Sequence, residues 1–142
     1  MLRFTFLALI SLFAGALLGQ DADRVLGVWI NADSSQVIQV ERRGEVYAGK
    51  LIELKGESNK LLLDIENPDM EKRNRNLVGA DIWLQFVYDV DKDFWREGKI
   101  YNFKNGNTYN GKIRVVGDEL TLTGHYGFFF FLSKNQEWLR VK

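Results

Sequence analysis

The sequence predicts an all-β fold: a single antiparallel up-and-down β-barrel of about eight to nine short strands, interrupted by one long loop with room for a short helical turn. Three observations lead there. Lys99-Ile100-Tyr101 and Lys112-Ile113-Arg114-Val115-Val116 flank the turn Lys104-Asn105-Gly106-Asn107, and Asn-Gly between β-branched and aromatic runs is the strongest short-range hairpin signal, because both residues tolerate positive φ. Turn clusters recur at close spacing along residues 20–142, with no long amphipathic helical period between them. Finally, Tyr47-x-Gly49-Lys50-Leu51 returns as Tyr109-x-Gly111-Lys112-Ile113, and Gly98-Lys99-Ile100 repeats its last three positions. A glycine inside a strand marks a bend or a close backbone approach, and bends at equivalent places curl a sheet towards closure.

Taken in order, residues 1–19 stand apart from the domain. Met1-Leu2-Arg3 is a positive start, Phe4 to Leu18 carries no charge, and Gly19 is a small residue suited to cleavage, with Leu17 an imperfect −3. This is the layout of a secretory signal peptide, too short to span a bilayer comfortably, so the expectation is export to the periplasm or the extracellular space with no stable membrane anchor. The chain has no Cys, which excludes a lipid-anchored lipoprotein and any disulfide staple. Formal net charge is +0, so nothing global draws the protein to nucleic acid.

The domain itself is expected over 20–142. Asp21 to Arg24 is a polar lead-in and Leu26 to Ile30 a first strand, ended by the turn cluster Asn31-Ala32-Asp33-Ser34-Ser35. Gln36 to Arg42 alternates, with Ile38 and Val40 on one face and Gln39 and Glu41 on the other, as a half-buried strand does. Arg43-Gly44 turns the chain and Glu45 to Leu54 returns it. Gly56 to Asn76 holds the only Pro, Pro68, and no apolar period; it reads as a long loop in which Asp69 caps a helical turn near Asp69 to Lys72. Strands resume at Leu77 to Tyr88, turn at Asp89 to Asp93, pass through the central hairpin, and continue as Glu119 to Tyr126, Gly127 to Leu132 and Gln136 to Val141.

Gly27, Trp29, Trp138 and Arg140 form the first constellation. If the first and last strands meet, an arginine can stack on the Trp29 ring and plug the closed end, a contact worth roughly 0.5–2 kcal/mol. The second is the loop: Asn67, Arg73 and Arg75 beside Asp64, Glu66 and Asp69. Two arrangements are compatible with it, an ion-pair network that pins the loop and an anion site in which two guanidiniums offer bidentate donors. Tyr101, Tyr109 and His125, the only histidine, complete the candidate ligand contacts; His125 shares a strand phase with Thr121 and Thr123, which also suits plain surface decoration.

Asp89-x-Asp91-x-Asp93 imitates the start of a calcium loop, but Phe94 stands where Gly is needed and Ile100 where Glu is needed, so it is read as a hairpin turn and no metal site is assigned. No cofactor motif is present. Phe128 to Phe131 must send two rings to each side of a strand: one pair to the core, the other to a covering loop, a dimer face or solvent.

The set Gly27-x-Trp29, Gly49-Lys50-Leu51, Asn67-Pro68-Asp69, Arg73-x-Arg75, Leu77-x-Gly79, Gly98-Lys99-Ile100-Tyr101, Gly106-Asn107-Thr108-Tyr109 and Trp138-x-Arg140 resembles the bacterial exported family called domain of unknown function 2147. The chain departs from it at Met70 and Asn76, where the family usually carries Pro. The resemblance implies a calycin- or lipocalin-like barrel and export, and supplies no activity. Three function classes follow. The first is a binding module that holds a small apolar or amphipathic ligand, hydrophobic or anionic, among the aromatic side chains. The second is a cell-envelope structural or interaction protein with a filled barrel, as a homodimer or with another partner. An enzyme is the weakest, because neither Asp64 with Asp69 nor Asp89 with Asp91 has a diagnostic spacing and no nucleophile has a recognisable context.

Overall fold

The computed structural model describes residues 21–56, 62–125 and 133–142. Among them are eight strands: β1 Gly27–Asn31, β2 Gln36–Arg43, β3 Val46–Leu54, β4 Asp81–Asp89, β5 Phe94–Asn102, β6 Asn107–Val116, β7 Glu119–His125 and β8 Ser133–Arg140. Each is antiparallel to its neighbour in the chain, and β1 also pairs with β8, which closes the barrel. Trp29 lies opposite both Ile38 on β2 and Arg140 on β8. The strand expected over 127–132, with its phenylalanine run, lies outside the described residues.

The inner phase of each strand makes the core: Trp29, Ile38, Leu51, Phe86, Trp95, Ile113, Leu120 and Leu122 are almost wholly buried. Burial of a large apolar side chain is worth about 1.5–3 kcal/mol, and this core holds the domain without covalent staples. Curvature comes from bulges. Between Trp95 and Gly98 one extra residue of β5 faces β6, and there Glu97 takes φ +60; Gln85 on β4 does the same opposite β3. Such bulges bend and twist a strand.

The repeated glycines have a packing role. Gly98, Gly111 and Gly124 lie directly opposite one another across β5, β6 and β7. A Cβ at Gly98 would sit 2.1 Å from the Phe86 ring, and one at Gly111 2.4 Å from Ile100 Cδ1. The bare backbone lets these two large side chains lie against the wall.

Three local expectations are corrected. The stretch 77–80 belongs to the long loop, because Gly79 takes φ +98 and β4 begins only at Asp81. The β5–β6 hairpin is a four-residue turn over 103–106: Gly106 takes φ +76, while Asn105 stays at negative φ and accepts the Asn107 amide on its side chain, 2.9 Å. The polar lead-in winds into a turn, with the Leu26 amide donating to the Asp23 carbonyl, 3.0 Å, and drives Val25 fully into the core. In the long loop Met70–Lys72 forms a 3-10 turn, N-capped by Asp69.

Candidate ligand-binding site

The two ends of the barrel differ. At the end where β1 begins and β8 finishes, the helical turn at 21–26 forms a floor. Arg140 lies 4.3 Å above the Trp29 ring, donates to the carbonyls of Leu26 and Arg24, both at 2.7 Å, and pairs with Asp118 at 3.2 Å. Trp29 Nε1 donates to the Val25 carbonyl, 2.9 Å. Gly27 leaves the space for this arginine, since a Cβ there would be 2.9 Å from its Nη1. Beside it Arg24 lies 4.8 Å from the Trp95 ring and pairs with Asp93 at 2.6 Å.

The other end is where β2, β4, β6 and β8 begin. A cavity of about 380 Å³ enters the barrel there. Its walls come from Trp83, Ile100, Leu122 and Trp138 below, and from Gln36, Asn102, Tyr109, Lys134 and Gln136 towards the rim, with Lys104 on the β5–β6 turn. On β8 the inner phase reads Lys134, Gln136, Trp138, Arg140: two exposed polar residues, a buried ring, then the floor cation. Among the described residues, side chains of the inner phase stay exposed at this end. Among the described residues no carboxylate lines the cavity, and neither Lys104 nor Lys134 is in an ion pair.

Trp138, grouped by sequence with the closing residues, stands one tier above the Arg140–Trp29 stack. It lies opposite Leu120 and packs edge-on to Trp83, 4.9 Å between centroids at 87°. Its ring is 2 % exposed, and its indole N–H has no acceptor among the described residues. A buried donor left without a partner costs about 1–3 kcal/mol.

The long loop is latched to the outside of this rim. Tyr101 alternates with the inward Ile100 and so stands on the outer face of β5, where its hydroxyl donates to Asp64 Oδ1 at 2.6 Å. Asp64 is fully buried; its Oδ2 accepts from Asn67 Nδ2 at 2.7 Å and from Arg75 Nε at 2.8 Å. Burial pushes the Asp64 carboxyl up, but the bonds from Tyr101, Asn67 and Arg75, with the Arg75 charge, outweigh it and hold the group below the ordinary carboxylate value. Burial and the bond to Asp64 push the Tyr101 hydroxyl up. Arg73 Nε donates to the Asn67 carbonyl at 2.7 Å. The loop rests on the central hairpin, because a Cβ at Gly106 would lie 2.1 Å from the Glu66 carbonyl oxygen.

Of the six candidate contacts, Tyr101 and Tyr109 border the cavity. Asn67 and Arg75 face Asp64, and Arg73 and Arg75 bond different partners, so the two guanidiniums are not gathered into one fork. His125 lies away from the cavity, in a groove on the outer face of β6, β7 and β8 with Thr121, Thr123, Lys112 and Arg114. In the Asp89–Asp93 turn, Asp89 Oδ1 accepts the amides of Asp91 and Lys92, both at 3.1 Å, and Asp93 pairs with Arg24. Sequence reasoning missed Trp83, Lys104, Lys134 and Gln136. The signal for the last two was there, in the two-residue spacing that leads down β8 to Trp138.

The profile of a family described as "Uncharacterized protein conserved in bacteria (DUF2147)" matches residues 27–140. No curated protein matches the chain. Among solved structures, the chain is similar to one described as "Protein HP1028 from the human pathogen Helicobacter pylori belongs to the lipocalin family", with 22% identity over 84% of each chain and a TM-score of 0.73. At that identity the likeness is one of fold.

Proposed function

The chain belongs to the DUF2147 family, and from that premise we propose that it is an exported binding module whose barrel takes a small amphipathic anion, apolar part inward and acidic head at the rim. The observation that carries this reading is the cavity of about 380 Å³, apolar at depth and bordered at its mouth by Lys104 and Lys134, with no carboxylate in its lining among the described residues. Its volume falls within the range of small-molecule sites. Export rests on the Met1–Gly19 layout.

Magnitudes favour a ligand with both parts. Six methylenes buried at about 0.8 kcal/mol each contribute about 5 kcal/mol. A rim ion pair adds up to about 1 kcal/mol. The sum corresponds to a dissociation constant on the order of 0.1 mM or somewhat tighter. The rim ion pair improves binding by up to about fivefold over the apolar part alone.

Calorimetric titration with decanoate tests the reading, with decanol and butyrate as controls. Decanoate is expected to bind more tightly than either, and to weaken about threefold or more when Lys104 and Lys134 are both changed to Glu. Equal binding of decanol and decanoate would remove the anionic half of the proposal; no binding by any of the three would remove it all.

A further inference from the structure

We propose that the groove on the outer face of β6, β7 and β8 is a second binding site, for a segment of acidic polysaccharide whose carboxylates meet Lys112 and Arg114 and whose hydroxyls meet the threonine and asparagine side chains beside them. The site is separate from the cavity at the mouth and does not depend on what that cavity holds. The groove has a volume of about 670 Å³, within the range of small-molecule sites. It crosses the strands: Lys112 lies opposite Thr123 and Thr123 opposite Asn135, while Arg114 lies opposite Thr121. With strands about 4.8 Å apart and alternate residues about 7 Å apart, the two cations share one side of the groove and Asn135 stands about 10 Å across.

The first argument is unanswered charge. On the outer face of β2 and β3 the cations are answered in place, Arg43 by Asp81 at 2.5 Å and Lys50 by Glu41 at 3.6 Å. Lys112 and Arg114 are exposed, and among the described residues neither is in an ion pair. The carboxylates around them are engaged or stand apart. Glu97 pairs with Arg96 at 2.9 Å, and Glu137 accepts from Thr121 Oγ1 at 2.9 Å. Asp93, within Coulombic reach of Arg114, is held by Arg24 and Tyr88, both at 2.6 Å. Glu119 lies opposite Val116, one alternate position towards the floor, and does not border the groove. Arg114 is 5.5 Å from the Phe94 ring, a contact that holds its guanidinium beside the groove.

The second argument is the mixture of donors and acceptors. Thr121 and Thr123 give their protons to Glu137 and Asn135, at 2.9 and 2.8 Å, so their oxygens keep lone pairs with which to accept. Asn135 accepts on Oδ1, and its Nδ2 keeps two protons to donate. A phosphate or sulfate only accepts, and would bring the threonine oxygens no donor. A sugar hydroxyl both donates and accepts, and a uronic acid adds the carboxylate that the cations call for. Along the groove β6 and β7 are paired on both sides, which leaves an extended acidic peptide no edge there to join.

The test is a titration of the purified protein with trigalacturonate, followed in proton–nitrogen correlation spectra, with maltotriose as the neutral control. Trigalacturonate is expected to move the amides of Lys112, Arg114, Thr121, Thr123 and Asn135 saturably and to leave those of Lys104 and Lys134 in place. Maltotriose at the same concentration is expected to move none of them. Changing Lys112 and Arg114 together to Gln is expected to weaken binding about tenfold or more, the factor for a charge-assisted hydrogen bond. Saturating decanoate is expected to leave the titration unchanged, so this site and the mouth stand or fall separately. No shift with trigalacturonate, shifts confined to the mouth, or equal shifts with maltotriose would overturn the inference. So would equally tight binding of sulfate or of a triglutamate peptide, or binding of phosphatidylglycerol vesicles by this face that trigalacturonate does not displace. Should the double variant fail to fold, the shift map and the controls on the unmodified protein still decide.

Discussion

The floor and the mouth of this barrel are built on the same eight strands, with the same inner phase, and are put to opposite use. At the floor both inward arginines are committed: Arg140 bonds two carbonyls, one carboxylate and one ring, and Arg24 meets Asp93, Tyr88 and Trp95. At the mouth Lys104 and Lys134 are in no ion pair among the described residues, Lys104 lying only within Coulombic reach of the Asp33 carboxylate, and inner-phase side chains stay exposed. The floor spends its side chains on one another, and the mouth holds its own in reserve. The difference teaches that cohesion is concentrated at one end of the strands, so that, on the proposed reading of the mouth as the binding end, changes at one end should leave the other's work intact.

Substitutions can break that comparison or sharpen it. The largest effect is expected at the floor: Trp29→Ala should cost about 3–5 kcal/mol in urea unfolding, since it empties a fully buried site and strands the Arg140 guanidinium. If what still folds binds decanoate as before, the separation holds; a loss of binding in folded protein would break it. Next comes the latch. Asp64→Asn removes the charge that answers Arg75 and is expected to cost about 2–3 kcal/mol, less than a fully buried pair because Arg75 is one-third exposed. The sign of its pH dependence follows from the depressed carboxyl. The ionised form belongs to the folded state, so its contribution is complete above the ordinary carboxylate value and is lost as pH falls through the lower folded one. Melting curves below about pH 5 should therefore fall more steeply for the unmodified protein than for Asp64→Asn. A parallel fall would show that the latch carries no pH-linked stability.

Gly98→Ala stands third, at about 1–2 kcal/mol, because a methyl there meets the Phe86 ring and the ring must shift. Thermal unfolding reads it, and an unchanged midpoint would mean that Phe86 moves aside freely. The smallest effect on stability, within about 0.5 kcal/mol, is expected for Lys134→Glu, an exposed side chain with no ion pair to lose. If that variant melts far from the unmodified protein, the lysine has a structural task and the contrast between the two ends weakens.

What could be read from sequence divides along the same line. Alternation placed Thr121, Thr123 and His125 on one face of β7 and Leu120 and Leu122 on the other, and the structure has them so. The Asn105-Gly106 signal located the central hairpin, although only the glycine takes the left-handed backbone. These are local patterns, carried by neighbours in the chain. The latch was not legible in the same way. Asp64, Asn67 and Arg75 were visible as a charged loop, but their fourth member, Tyr101, is 37 residues from Asp64 and presents itself in sequence as one more strand aromatic. The glycine row was seen as an echo of bends. That Gly98 and Gly111 make room for Phe86 and Ile100 depends on register across three strands, which no single stretch contains. Trp138 illustrates the limit most plainly. Its spacing from Arg140 identified the shared face, but depth along that face, which separates a floor residue from a wall residue, is set by the pairing with Leu120 and Asn31.

The pairing of β1 with β8 has a consequence beyond shape. A flat sheet ends in two strands whose amide and carbonyl groups lie idle, and these act as templates on which another chain can add a strand. Here Trp29, Ile30 and Asn31 spend those groups on Arg140, Leu139 and Trp138, so along these three pairs no margin is left for another chain. Closure protects this seam by topology, without recourse to surface charge, and a chain with near-zero net charge has particular need of that protection.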